Sequence, residues 1–242
     1  MPGLISLDAL CAHVREKHVP VTTHSGKVVE GGVFVVMPAS LPRGAEESAP
    51  GGERFLAEAL AAKPYAVVLH PRHIPFFQSL GGLAALSPDA DPRAALGRLA
   101  GAYYGTDKKC PAVIGITGTN GKTTESYLLE HLFGRLGRKT GVIGTVSYRW
   151  PGHEQDAPLT TPGCLELHAM LHDMGEAGAD TAVMEVSSHA LDQKRVAGIP
   201  IAAAVLTNVT QDHLDYHPDM EQYFQAKARL FRPEAQGGYP LD

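Results

Sequence analysis

The stretch that decides the fold is residues 112–124, which read Ala-Val-Ile-Gly-Ile-Thr-Gly-Thr-Asn-Gly-Lys-Thr-Thr. It begins with an uncharged apolar run, which is typical of a buried central β-strand. The glycines that follow let the backbone curl so that successive N–H groups point into one concavity, where an anion can bind. A helix beginning near Thr123 would add its free N–H groups and its dipole. The stretch therefore predicts a phosphate-binding loop.

The residue types in this loop match the parts of a nucleoside triphosphate. Lys122 supplies a charge to the β- and γ-phosphates, and the Thr123 hydroxyl supplies a ligand for Mg²⁺. The predicted phosphate-binding residues are Gly118, Thr119, Asn120, Gly121, Lys122, Thr123 and Thr124. The motif has a short form, because only Thr119 and Asn120 separate Gly118 from Gly121. The alternative is a glycine-rich turn that joins a strand to a helix without binding a ligand.

The composition is that of a globular α/β protein. The 242 residues are 44% hydrophobic and 19% charged, and their number suits one large or two modest domains. A formal net charge of −5 argues against a nucleic-acid partner. The scattered Cys11, Cys110 and Cys164 indicate reduced thiols, and no segment has the pattern of a signal peptide or a membrane span. We therefore expect a cytoplasmic protein.

The first part of the chain predicts a small mixed α/β domain over residues 1–107. Apolar spacing indicates helices over 4–14, 53–62 and 91–104, and strands over 19–23, 33–37 and 65–69. Asp91 followed by Pro92 is typical of a helix start. The composition turns polar over 105–109, which indicates a linker.

The second part, residues 108–242, alternates strands and helices. Strands are predicted over 112–116, 140–148, 181–186 and 201–209, with helices over 123–136 and 164–177 and a short helix near Ala190. This alternation predicts a doubly wound parallel sheet, as in P-loop-type ATPase domains. Leu128, Leu132 and Leu136 form one stripe of the first helix, which we expect to pack on the sheet.

Polar residues follow three of these strands, at the carboxyl ends where ligands bind in such sheets. They are Thr160 and Thr161, Glu185 with Ser187, and the run 207–215, which contains His213. Glu185 and His213 can complete the shell of a Mg²⁺ that keeps several waters. The other interpretations are a capping carboxylate, a structural histidine, or a zinc site from His213 and His217, although no thiolate stands near them in the sequence.

Lys227 lies on the apolar side of a further predicted helix. Helical spacing places it on one stripe with Tyr223, Phe224, Leu230 and Phe231. Burial of an ammonium group is costly, so the pKa of Lys227 should fall, and a neutral amine can react with CO₂ to give an anionic carbamate. The alternative is a lysine whose ammonium group reaches out to the solvent.

Five motifs in this order resemble the Mur ligase family: GTNGKTT, TTP, MEVSSHALDQKRV, LTNVTQDHLDYH and YFQAKARLF. Within the family they are similar to the ligases that add the third residue to UDP-N-acetylmuramoyl-L-alanyl-D-glutamate, specifically over residues 112–232 and loosely over 1–110. The resemblance implies that Lys122 and Thr123 hold ATP and magnesium and that Glu185 and His213 bind magnesium. It also implies that Lys227 is a carbamylated lysine supporting a second ion. Lys122, Lys227 and His213 are the implied catalytic residues.

The same resemblance implies contacts with the UDP-sugar-peptide. They fall on Thr160, Thr161, Ser187, Gln193 and Arg195, while Leu159 stands where the family often has an asparagine. Residues 1–107 resemble the family's uridine-binding domain, and Ser25 matches the serine of its Asp-Ser-Arg pattern. His24 and Gly26 replace the charged neighbours. Ser40, Leu41 and Pro42 would line the uracil.

The implied reaction transfers a phosphoryl group from ATP to the D-glutamate γ-carboxylate. An amine of diaminopimelate or lysine then attacks the acyl phosphate, which gives an amide and releases phosphate beside the ADP already formed. Because the family continues further than this sequence, we expect a truncated central domain, no C-terminal amino-acid domain, and a catalytically incomplete monomer. The alternatives are a UDP-sugar or nucleotide-binding module without catalysis, and a sister ligase of the MurF or folylpolyglutamate synthetase type.

Overall fold

The structure is a computed structural model that describes residues 3–38, 52–81 and 84–232. The chain divides between Gly105 and Thr106 into two compact units, each with its own sheet. The predicted uracil-lining residues Ser40, Leu41 and Pro42 lie outside the described residues.

The first unit has a parallel sheet of short strands, whose order in the described residues is β1-β2-β3-β4. The strands are β1 (Val21–Thr22), β2 (Val33–Val35), β3 (Ala66–Leu69) and β4 (Ala85–Pro88). The helices are α1 (Leu7–Lys17), α2 (Leu56–Ala61), α3 (Ile74–Ser79) and α4 (Pro92–Tyr104). Phe34 and Val67 of the sheet pack with Leu56 of α2 and Phe77 of α3 in one core.

The elements predicted for this unit are present with shifted bounds. Helix α4 follows Asp91, whose carboxylate accepts a hydrogen bond from the Ala94 N–H at 3.2 Å. The sequence patterns did not predict α3 and β4. Strand β4 reads Ala-Leu-Ser-Pro and contains no β-branched residue, so its strand conformation comes from pairing with β3 rather than from local preference.

The second unit has a six-stranded sheet in the described residues, ordered β10-β5-β9-β6-β7-β8. The strands are β5 (Ala112–Thr117), β6 (Thr140–Ile143), β7 (Ser147–Trp150), β8 (His153–Asp156), β9 (Thr181–Glu185) and β10 (Ile201–Leu206). The helices are α5 (Lys122–Arg135), α6 (Cys164–Glu176), α7 (Ser188–Asp192) and α8 (Met220–Ala228). The pairs β10–β5, β5–β9 and β9–β6 are parallel, so the predicted α/β fold class is confirmed.

The predicted strand over 140–148 is wrong as a single element. It is two antiparallel strands, β6 and β7, and β8 continues the hairpin at the sheet edge. The chain turns after Ile143 at Gly144, which lies so close to Glu185 that an added Cβ would be 2.4 Å from the carboxylate Oε1. The Gly144 N–H then donates to the Ser147 carbonyl at 3.3 Å and closes the turn.

The predicted leucine stripe of α5 is also wrong. Leu128, Leu132 and Leu136 are 59%, 51% and 67% exposed. The helix packs instead through Leu129 and Phe133 on the core formed by Ile114, Ile116, Val142 and Val183. Two adjacent stripes of this helix are apolar, so four-residue spacing alone selected the wrong one.

The opposite face of the sheet is covered by α6 and α7. Leu167, Leu171 and Leu191 from these helices pack with Met184 of β9, and Leu230, which follows α8, packs against the same core. The three cysteines are free thiols. In the parts of the chain that the structure describes, no helix combines the length and the apolar character needed to cross a bilayer.

Candidate nucleotide and metal site

The carboxyl ends of β5, β9 and β10 lie side by side in the second unit. The registers pair Ile116 with Glu185 and Thr117 with Leu206. Residues that follow these strands therefore meet at one edge of the sheet, next to the phosphate loop.

Two glycines give the phosphate loop its shape. Gly118 has φ +148° and Gly121 has φ +89°, which are unfavourable for other residues. A Cβ on Gly118 would also lie 1.9 Å from Thr207 Oγ1. Gly121 is the N-cap of α5 and has no side chain to accept a hydrogen bond from the first turn. The N–H groups of that turn can therefore face an anion.

Two lysines converge on this loop. Lys122 Nζ donates to the carbonyl oxygens of Gly118 and Thr119, both at 2.8 Å. Lys227 Nζ donates to the same Gly118 oxygen at 2.8 Å and lies 4.4 Å from the centre of the Tyr223 ring. Burial lowers the pKa of Lys122, which the Glu185 and Asp212 carboxylates partly offset.

The prediction that Lys227 faces the apolar interior is confirmed, since this lysine is 2% exposed. Burial, reinforced by the neighbouring Lys122, lowers its pKa to about 7. Two of its predicted stripe partners, Phe224 and Phe231, are 41% and 37% exposed. Lys227 is thus buried against Tyr223 and the phosphate loop rather than along a continuous apolar stripe.

Glu185 is a buried carboxylate held by threonines. Its Oε2 accepts from the Thr123 hydroxyl at 2.9 Å and from the Thr145 hydroxyl at 3.0 Å. Its Oε1 accepts from the Thr145 N–H at 3.1 Å. Sequence reasoning missed Thr145 because the predicted strand over 140–148 placed it inside a strand, whereas β6 ends at Ile143 and Thr145 follows that end.

His213 lies on the loop between β10 and α8. Its backbone is left-handed, with φ +52°, and its N–H donates to Asp212 Oδ1 at 2.8 Å. Its ring meets the rings of His189 and Tyr223 edge-on at 4.9 and 6.0 Å between centroids.

His217, the partner in the zinc interpretation, is buried. Its Nε2 shares a hydrogen bond with Ser188 Oγ at 3.0 Å. Burial, with His189 adding to it, lowers its pKa to about 4, so the ring is neutral. Within residues 3–38, 52–81 and 84–232, no three His, Cys, Asp or Glu side chains come together as metal ligands, and the zinc interpretation gains no support.

The residues predicted to contact the UDP-sugar-peptide in the second unit form one connected cluster. Arg195 Nη1 donates to the Thr161 carbonyl at 2.8 Å, and Arg195 Nη2 donates to Gln193 Oε1 at 2.8 Å. The Thr161 hydroxyl accepts from the Ser187 N–H at 3.0 Å. The Thr160 and Thr145 hydroxyls share a hydrogen bond at 3.0 Å, which joins the cluster to Glu185.

Two further positions singled out from the sequence, Leu159 and Ser25, are described separately from this cluster. Leu159, at the position of the expected asparagine, has its backbone held by Tyr148, whose hydroxyl donates to the Leu159 carbonyl. Ser25 lies in the first unit, where it is buried at the start of a single 3₁₀ turn. The His24 Nδ1 accepts from the Gly26 N–H at 3.2 Å and closes that turn.

Comparison with known proteins identifies a family model and several proteins that are similar to this chain. Residues 116–240 match the family model described as the Mur ligase middle domain. A UDP-N-acetylmuramoyl-L-alanyl-D-glutamate–2,6-diaminopimelate ligase of Lawsonia intracellularis is 48% identical over 225 residues, which are 93% of this chain and 44% of that protein. The ligase of the same name from Gloeobacter violaceus is 43% identical, over 90% of this chain and 42% of the relative.

A solved structure of a ligase with that name is 32% identical, with a TM-score of 0.68. The similarity covers 88% of this chain and 40% of the solved chain. The chain therefore spans less than half the length of the relatives that it matches.

Proposed function

The chain belongs to the Mur ligase family, and on that premise we propose that it is the nucleotide-binding part of an ATP-dependent amide-bond ligase. The reaction joins diaminopimelate to UDP-N-acetylmuramoyl-L-alanyl-D-glutamate, a step of peptidoglycan synthesis in the cytoplasm. The observation that carries the proposal is the Glu185 carboxylate, buried against the hydroxyl of Thr123 at the start of the phosphate-loop helix. The names of the relatives support the choice of diaminopimelate over lysine.

The phosphate loop suits the triphosphate of ATP. Helix α5 begins at Lys122 behind two positive-φ glycines, so the N–H groups of its first turn point out of the loop towards an anion. The Lys122 ammonium group donates to the Gly118 and Thr119 carbonyl oxygens, and it would exchange these for phosphate oxygens when the nucleotide binds. Charge neutralisation at this point favours phosphoryl transfer.

The donor set beside the loop suits Mg²⁺. Glu185 would supply carboxylate oxygens and Thr123, hydrogen-bonded to it, a hydroxyl oxygen, with other positions left to phosphate and water. We assign the imidazole ligand to His213, on the loop that follows the neighbouring end of β10. A bound Mg²⁺ would neutralise charge on the transferring phosphoryl group. The Thr145 N–H and hydroxyl orient the Glu185 carboxylate for this role.

Lys227 suits conversion to a carbamate. Its neutral amine would attack CO₂ to form an N–C bond and release one proton, which leaves an anionic carboxylate on the side chain. Lys122 and Lys227 share the Gly118 carbonyl oxygen, so the ammonium form of Lys227 is repelled by Lys122. A carbamate would replace that repulsion with attraction to Lys122 and offer oxygen ligands to a second Mg²⁺.

The cluster around Arg195 suits the anionic substrate. Hydrogen bonds join Arg195 and Ser187 to Thr161, and the Thr161 hydroxyl donates to the Glu185 carbonyl. These residues are therefore linked to the phosphate-loop side of the site through Glu185. They can align the D-glutamate γ-carboxylate with the γ-phosphate. The carboxylate takes the phosphoryl group from ATP, and the diaminopimelate amine then displaces phosphate to form the amide. We assign uridine binding to the first unit, through Ser25.

The ligase reaction itself tests the proposal. The protein that carries this chain is incubated with ATP, Mg²⁺, UDP-N-acetylmuramoyl-L-alanyl-D-glutamate and diaminopimelate, and the product is identified by mass spectrometry. We expect the tripeptide product and ADP in equal amounts. Product only with lysine in place of diaminopimelate would overturn the substrate assignment. Tight binding of the UDP-sugar-peptide with no product from either amino acid would overturn the ligase proposal in favour of a binding module.

A further inference from the structure

The four residues that follow β10, Thr207 to Thr210, lie along the phosphate loop and form a strap across it. We propose that Asn208 in this strap is a positioning residue that fixes the shape of the phosphate loop for nucleotide binding. The inference rests on the proposed nucleotide site.

Asn208 pairs with the loop backbone through its side chain and its main chain. Its Nδ2 donates to the Asn120 carbonyl and its Oδ1 accepts from the Asn120 N–H, both at 3.1 Å. Its own carbonyl accepts from the Thr119 N–H at 3.0 Å. A carboxamide presents a donor and an acceptor side by side, as a peptide group does, so one side chain binds both polar groups of Asn120.

The other strap residues reinforce this contact. The Thr207 hydroxyl donates to the Asn120 carbonyl at 2.7 Å. The Thr119 hydroxyl accepts from the Thr210 N–H at 3.0 Å and lies 3.1 Å from the Thr210 carbonyl. The strap approaches so closely that a Cβ on Gly118 would meet Thr207 Oγ1 at 1.9 Å.

The hydrogen bonds between Asn208 and the loop determine which backbone N–H groups of the loop are available to bind phosphate. The N–H groups of Thr119 and Asn120 are engaged by Asn208. The phosphates are therefore left to other N–H groups of the loop, including those in the first turn of α5. The strap also continues into Asp212 and His213, so one segment holds the loop and carries a candidate metal ligand. A change in the conformation of the strap would therefore disturb both the phosphate loop and the position of His213.

Amide hydrogen exchange of Asn120, measured by NMR without nucleotide, tests the contact directly. We expect the Asn120 N–H to exchange about tenfold faster in Asn208→Ala than in the wild type. Asn208→Asp keeps an acceptor for this N–H and should restore the protection. The matched control is Gln155→Ala, which removes an exposed amide side chain from β8, at the opposite edge of the sheet from β10, and should leave the exchange unchanged. Equal exchange rates in the wild type and Asn208→Ala would overturn the inference.

Affinity for a non-hydrolysable ATP analogue with Mg²⁺ tests whether the contact made by Asn208 supports nucleotide binding. We expect Asn208→Ala to weaken binding by about tenfold, with an unchanged melting temperature of the second unit, and Gln155→Ala to bind as the wild type does. Faster exchange combined with wild-type affinity would overturn the positioning role. If the wild type itself binds no nucleotide, the proposed function fails, and the positioning role falls with it even where the exchange rates support the contact.

Discussion

Lys122 and Lys227 each place their ammonium nitrogen 2.8 Å from one carbonyl oxygen, that of Gly118. The two residues lie on different helices, and each brings an amine to the same small volume. Burial disfavours the charged form and lowers the pKa of both lysines, and the neighbouring Lys122 lowers that of Lys227 further, to about 7. An anion at this point would be stabilised by these side chains. A phosphate group would be attracted by either lysine in its ammonium form, and a carbamate on Lys227 would be attracted by the Lys122 ammonium group.

We expect Lys227 to react with CO₂ in the folded protein. In ¹³C-bicarbonate solution the wild type should give a carbamate carbon signal by NMR, because the neutral amine is stabilised by burial. The signal should be lost in Lys227→Met and kept in Lys139→Met, which replaces an exposed lysine of the same unit. A signal of equal strength in wild type and Lys227→Met would show that another amine reacts.

We expect Thr145→Val to weaken Mg²⁺-dependent nucleotide binding by about tenfold, because it removes the hydroxyl that donates to Glu185 Oε2 and leaves the carboxylate less well oriented. Thr145→Ser retains the hydroxyl and the main-chain N–H, so it should bind nearly as the wild type does. Calorimetric titration with an ATP analogue and Mg²⁺ measures both variants. If Val and Ser substitutions reduce affinity equally, the hydroxyl contact is not the cause.

We expect Arg195→Ala to lose binding of UDP-N-acetylmuramoyl-L-alanyl-D-glutamate by about a hundredfold while retaining binding of the ATP analogue. The guanidinium contacts Thr161 and Gln193 rather than the phosphate loop, so the two ligands should respond differently. Arg138→Ala, which removes an exposed partner of Asp180, is the control. A parallel loss of both ligands would indicate that Arg195 supports the fold and not the substrate.

We expect acid to destabilise the second unit through His168. Burial lowers its pKa from 6.5 to about 4, and its Nε2 lies 2.9 Å from the Ala197 carbonyl. Between these two pH values the unfolded state binds a proton that the folded state does not, so stability falls as the pH falls. The contribution is about 1 kcal/mol per pH unit.

The single tryptophan, Trp150, reports unfolding of this unit in urea. His168→Gln should make the decrease in stability between pH 6.5 and the folded-state pKa of about 4 less steep by about 1 kcal/mol per pH unit, while His217, whose pKa is also lowered to about 4, still contributes. His172→Gln replaces an exposed histidine of the same helix and should leave the decrease as it is in the wild type. Equal slopes for the wild type and His168→Gln would contradict the assignment.

The sequence predicted the features of the second unit that are local. The apolar run 112–116, the glycines after it and Lys122 are adjacent, so their strand, turn and helix follow from neighbouring residues. The burial of Lys227 was also predictable, because helical spacing alone places it beside Tyr223.

Contacts between distant segments were not predictable from local patterns. Thr145 and Asn208 bind Glu185 and Asn120, which lie 40 and 88 residues away in the chain. The choice between Leu132 and Leu129 as the buried side of α5 depends on the angle at which the helix meets the sheet. Single-sequence periodicity does not fix that angle when two neighbouring stripes are apolar.

The proposed site requires Glu185 to couple nucleotide binding to Mg²⁺, and a titration with and without Mg²⁺ measures that coupling. An ATP analogue is titrated into the wild type and into Glu185→Gln, with Mg²⁺ and with a chelator, and Glu154→Gln on the exposed β8 strand is the control. The account predicts that Mg²⁺ strengthens binding at least about tenfold in the wild type and the control, and has no effect on Glu185→Gln. Equal Mg²⁺ enhancement in Glu185→Gln, or no nucleotide binding by the folded wild type, would contradict it.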